Sequence, residues 1–166
     1  MQPNRSIRVG ATHLQLDTPP VSGQYVTLDQ EIFYKIAHFD QMPPFFMSLV
    51  SASDLWMFIS STGSLSAGRK NPDHALFPYY TDDRIHDGAD QTGSKTVVLV
   101  TRSGNTFLWE PFSNAFRGSY RISRNLYKNR FGNKLIFEEV NHDLALTFQY
   151  AWLSSDASGW IRHAKL

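Results

Sequence analysis

Lys134-Leu135-Ile136-Phe137-Glu138-Glu139-Val140-Asn141-His142-Asp143-Leu144-Ala145-Leu146-Thr147-Phe148-Gln149-Tyr150-Ala151-Trp152-Leu153 decides the fold. Two runs rich in branched and aromatic residues flank three polar residues of the kind that favour tight turns. The reading is strand, Asn-His-Asp turn, strand. Towards the C-terminus, Ser154 to Gly159 turns the chain into a further strand, Trp160 to Leu166. Towards the N-terminus, Phe131-Gly132-Asn133 is a turn preceded by a strand over Tyr120 to Lys128. Earlier still, Thr96 to Arg102 and Thr106 to Trp109 flank Ser103-Gly104-Asn105. Consecutive strands joined by short Asn, Asp and Gly turns imply an antiparallel meander, hence a sandwich rather than a parallel α/β fold.

The first half is less uniform. Residues 1–24 read as a lead-in with a short strand at Thr12 to Leu16, and residues 25–166 as the sandwich domain. Over residues 27–39 two patterns compete. Leu28, Ile32, Ile36 and Phe39 have helical spacing behind a Thr27/Gln30 capping box, whereas Glu31 to Ala37 alternates like a strand. Pro43-Pro44 introduces a strand at Phe45 to Val50, and Leu55 to Ser60 is another. Gly63-Ser64-Leu65-Ser66-Ala67-Gly68 reads as a turn. Residues 69–94 read as a long polar loop, which in a compact domain is usually functional or an interface.

Composition narrows the function classes. The chain has 166 residues, enough for one domain with a core; 19% are charged, which excludes a disordered chain. Aromatics make up 14%, a proportion that suits sheet faces and sugar sites equally. The absence of cysteine removes disulfides, thiolate zinc and cysteine nucleophiles, and fits a reducing, cytoplasmic setting. Residues 1–20 contain Arg5, Arg8, Asp17 and Pro19-Pro20 and no apolar run, unlike a signal peptide. No stretch approaches the length of a membrane span, so no membrane partner is expected.

Motifs for chemistry are weak. Asp82, Asp83, His86, Asp87 and Asp90 could supply oxygen ligands to a hard cation, but their spacing matches no metal signature, and a solvated acidic loop is the expectation. No cofactor is expected. No G-x-S-x-G and no close histidine pair occurs, and Glu138 and Glu139 are adjacent on a strand, so they point to opposite faces and cannot act on one bond. Arg117, Arg121, Arg124, Lys128, Arg130 and Lys134 interleave with Phe116, Tyr120, Tyr127 and Phe131 without an acid. That mixture suits single-stranded nucleic acid. Alternation, however, scatters the charges over both faces, so a solvated sheet edge is expected and nucleic acid is only a remote alternative.

The order of features from Gln24 to Leu166 resembles the N-terminal β domain of cellobiose-phosphorylase-like inverting glycoside phosphorylases of glycoside hydrolase family 94. The matching features are Glu31-Ile32-Phe33-Tyr34-Lys35-Ile36, Met42-Pro43-Pro44-Phe45-Phe46, Phe58 to Gly68 with its Ser/Gly turns, Asn71 to Tyr80 with its Pro-aromatic end, and Trp109-Glu110-Pro111. The residues after the Pro-aromatic pair, Met47 and Ser48, and Glu110 inside the Trp-x-Pro depart from the family pattern, so a divergent relative is expected rather than an orthologue.

The resemblance implies an all-β, mainly antiparallel β-sandwich of the supersandwich kind with long loops, and with residues 31–37 as strand. The family's domain is longer than this chain, which leaves room for an incomplete sandwich. The resemblance also implies that catalysis belongs to a downstream helical domain absent from this chain, so no catalytic residue is assigned here. Carbohydrate is then the expected partner, whether the chain serves a larger enzyme or is a binding module in its own right. Tyr79, Tyr80 and Trp109 are the candidate stacking rings, and Arg69 and Asp82 the candidate hydrogen-bonding partners. Trp160 to Leu166 reads as a strand still in progress, so a longer parent protein is expected, with the last strand an open edge at which two copies of the chain pair as a homodimer.

Overall fold

The computed structural model describes residues 5–16, 18–77 and 82–166; for Arg5, Ser6, Gln15, Asp82 and Asp83 it describes the backbone only. The described residues form an all-β, antiparallel sandwich. Its strands are β1 (Arg5–Val9), β2 (Thr12–Leu16), β3 (Ser22–Leu28), β4 (Glu31–Ala37), β5 (Phe46–Leu49), β6 (Leu55–Ser60), β7 (Leu65–Arg69), β8 (Val98–Arg102), β9 (Asn105–Trp109), β10 (Ile122–Asn129), β11 (Lys134–Asn141), β12 (Leu146–Ser155) and β13 (Gly159–Lys165). The main sheet has six strands in the order β13-β12-β11-β10-β4-β3. A three-stranded sheet, β5-β6-β7, and two hairpins, β1-β2 and β8-β9, complete the set.

The layers meet because alternate residues of facing strands are apolar. Leu126, Leu135, Phe137, Phe148, Tyr150 and Trp152 from the main sheet form one core with Met47, Leu49, Met57, Ile59 and Leu65 from the three-stranded sheet and Trp109 from β9. Phe137 and Tyr150 stack with centroids 4.8 Å apart, and Phe112 meets Tyr150 edge-on at 5.3 Å. Such ring pairs add about 0.5–1.5 kcal/mol each beyond burial.

Residues 31–37 are a strand. The helical alternative fails because Asp29 and Gln30 both take positive φ, 47° and 69°, making a two-residue hairpin loop that pairs β3 with β4 from Ser22↔Ala37 to Leu28↔Glu31. β3 therefore begins at Ser22, and β1 pairs with β2 upstream of it.

Three further expectations are corrected. The Gly63–Gly68 turn is in fact the start of a strand: β7 runs from Leu65, and only residues 61–63 turn, with Gly63 at φ +92°. The small residues serve packing: Ser64, Ser66 and Ala67 are buried, and a Cβ on Gly68 would lie 2.5 Å from the His74 carbonyl oxygen. The described part of the 69–94 loop contains short helical turns at Pro72–His74, Asp82–Ile85, His86–Gly88 and Ala89–Thr92, anchored by Ile85, which is fully buried. The basic stretch is not a sheet edge. β10 lies between β11 and β4, and Arg124 is buried within it. The edges are β13, which carries Arg162, His163 and Lys165, and β3, which carries no charge.

Candidate functional site

Glu139 organises one wall of a surface groove. It projects from β11 onto the core face and is almost wholly buried. One oxygen accepts the Trp109 indole N–H at 2.8 Å. The other accepts the Phe112 backbone N–H at 2.7 Å and the Arg124 Nε–H at 2.7 Å. Arg124, opposite Glu139 on β10, uses its remaining nitrogens on the Asn114 side chain at 2.9 Å and the Ser113 carbonyl at 2.8 Å. Charge, burial and satisfied hydrogen bonds together fix the segment that follows β9 against the main sheet. Phe112 is held there at φ +66°, a conformation that costs a bulky residue about 1–3 kcal/mol.

This segment walls a groove of about 660 Å³. The floor is Arg124, Phe137 and Tyr150; the far walls come from Asp40 and Pro44, from Thr62 and Gly63, and from His86, Asp87, Asp90 and Lys95. Glu110, Asn114 and Arg117 complete the near wall. The Tyr150 phenol is pushed well above its ordinary value by burial and stays neutral. Asp90 is held below its ordinary range by its hydrogen bond and ion pair with Lys95, 2.8 Å away, and so is ionised. His86 sits with Nδ1 2.6 Å from the Ser60 hydroxyl, and Thr62 also donates to Ser60. Ser60 is fully buried. No substrate reaches its hydroxyl, so the contact orients the imidazole rather than activating a nucleophile.

The residues expected to bind sugar are not brought together. Trp109 is a core residue, 2% exposed, with no free ring face; its contribution is to position Glu139 and the groove wall. Arg69 is exposed at the end of β7, 4.0 Å from Asp54, and does not line the groove. Tyr79 and Tyr80 lie outside the described residues, as does the Asp82 side chain, although its backbone opens the helical turn that leads to His86. Among the described residues no group of three or more acidic or histidine side chains is placed to hold a metal ion, and no helix is long and apolar enough to cross a membrane. Three of the six basic residues are engaged in ion pairs: Arg121 with Asp143, Arg124 with Glu139 and Lys134 with Glu31.

Sequence reasoning missed Glu139, Arg124 and His86 as a site framework. A buried Arg and Glu face each other only once strand register is known. No family model matches the chain, and no curated protein matches it significantly.

Proposed function

We propose that the chain is a non-catalytic β-sandwich domain of a carbohydrate-active enzyme, of the glycoside-phosphorylase or glycosyl-hydrolase kind, which presents a carbohydrate-facing groove. The observation that carries this reading is the groove itself. Fixed carboxylate, amide, imidazole and guanidinium groups from several separate segments line it, and half-buried Phe112 supplies ring surface above the buried core rings Phe137 and Tyr150. A sugar needs that combination: hydroxyls take directional hydrogen bonds while the C–H faces lie on rings. Arg124 and Glu139 satisfy each other and hold shape, whereas Arg117, Glu110 and the Nε2 side of His86, whose Nδ1 is held by Ser60, are left to address a ligand from the walls. The non-catalytic half is supported by the burial of Ser60 and by the opposed carboxylates of Glu138 and Glu139.

The test is titration with β-linked disaccharides and longer oligosaccharides, with Arg117→Ala and Glu110→Ala compared against the parent chain. Weaker binding in both variants is expected. Binding that neither variant alters would remove the groove from the reading. Phosphorolytic or hydrolytic turnover by the chain alone would overturn the non-catalytic assignment.

A further inference from the structure

The six-stranded sheet extends beyond the layer that covers it. On its core face, Leu126 and Ile36 sit in register beside Gly23 and pack towards the other layer. One row further along, Tyr25, Tyr34 and Lys128 lie side by side across β3, β4 and β10. That row is uncovered: Tyr25 is 75% exposed and Tyr34 43%. Their rings meet edge-on at 5.2 Å. Any side chain at Gly23 would collide with the Tyr34 ring, so the glycine is what lets Tyr34 lie down across the sheet. Phe45, just before β5, and Met47, its second residue, close the other side, giving a cleft of about 350 Å³, at the small end of ligand pockets.

The charge in this cleft is one-sided. Lys128 and Arg130 line it, and no carboxylate does among the described residues. Neither cation has an ion-pair partner there, in contrast to Arg121, Arg124 and Lys134 nearby. Burial lowers the Lys128 pKa without a compensating anion. An apolar ligand would leave both cations unused. A bare anion would leave both tyrosine rings unused.

We propose that this cleft binds a pyranose carrying a negative charge, a uronate or a sugar phosphate. A C–H face lies against Tyr25 and Tyr34, and the anionic group is held by Lys128 and Arg130. The ligand class rests on the carbohydrate reading above, but the site is separate from the groove.

Calorimetric titration of the full chain at low salt tests it with four probes: glucuronate, glucose 6-phosphate, glucose and inorganic phosphate. One or both sugar anions are expected to bind, glucose at least about tenfold more weakly, and phosphate alone more weakly still. Binding of glucuronate alone assigns a carboxylate ligand, and binding of glucose 6-phosphate alone a phosphorylated one. Tyr25→Ala and Lys128→Met should each weaken the sugar anion about tenfold. If either loses the native near-ultraviolet circular dichroism, Tyr25→Leu and Arg130→Gln carry the same expectation. The Arg117→Ala groove variant should leave anion binding intact, so failure of the groove reading and failure of this one are told apart. Equal affinity for glucose, phosphate binding as tight as the sugar anions, or affinity untouched by the cleft variants would overturn the proposal.

Discussion

Glu138 and Glu139 are adjacent on β11, and their carboxylates point to opposite faces of the main sheet, each at the centre of its own network. Glu139 gathers Trp109, Phe112 and Arg124 on the core face. Glu138 accepts from Asn125 at 2.7 Å, from the Tyr127 hydroxyl at 2.8 Å and from Gln149 on the other face. The pleat that separates them makes each a structural hub and denies them a shared substrate.

Glu139→Ala leaves the Arg124 guanidinium buried without its anion. Breaking one side of such a pair costs about 3–5 kcal/mol. Urea unfolding should show that loss. A cost below about 1 kcal/mol would mean that Arg124 finds water or another acceptor at once.

Trp109 should behave as a core residue. Its fluorescence, obtained as the difference between the parent chain and Trp109→Phe, is expected to be blue-shifted, resistant to iodide quenching and unmoved by oligosaccharide. Trp109→Phe also removes the N–H that Glu139 accepts, for a further cost of about 1–3 kcal/mol. Quenching of this component by added sugar would restore Trp109 as a stacking ring.

Gly68→Ala would force a methyl group against the backbone at His74 and Ala75 and against the Trp56 ring. Overpacking of this kind costs about 1–3 kcal/mol. Amide exchange should accelerate first at Leu76 and Phe77, whose N–H groups bond the Ala67 carbonyl beside it.

Acid should destabilise the fold partly through Glu31. Its pKa is lowered by the hydrogen bond from Lys134, then by that from Asn129. A carboxylate whose folded pKa is depressed contributes stability that is present above its ordinary value of 4.5 and lost as pH falls through the lower folded value. Glu31→Gln should therefore flatten the stability curve between 4.5 and that lower folded value and leave its slope near neutrality unchanged, as denaturant midpoints across a pH series would show.

Above pH 10 the reverse sign applies. Tyr127 is held above its ordinary value by burial, then by its hydrogen bond to Glu138, and Tyr150 by burial. The unfolded chain releases these protons first, so stability should fall as pH rises past 10.0, the ordinary phenol value. Phenolate absorbance should appear in step with unfolding. Full titration of all tyrosines in the folded chain would contradict their burial.

The strands of the second half are legible in the sequence because their signals are local. Ser103-Gly104 supplies the two positive-φ residues that a tight hairpin needs, and the turns around Gly132 and before Gly159 likewise declare themselves within a few residues. The turn between β3 and β4 does not, because Asp29-Gln30 reaches the same geometry without glycine, so helix and strand stay open until pairing is known. Nothing local places β4 beside β10, a contact that ties Asn129 to Glu31 across 98 residues and turns a basic stretch into an interior strand. Nor does local pattern say that Trp109 is buried, since the same indole serves a core or a sugar equally well until Glu139 captures its N–H. Turn chemistry acts over two residues and is written in them. Register, burial and the meeting of Tyr25, Tyr34 and Lys128 depend on which strands lie side by side, and only the closed tertiary structure decides that.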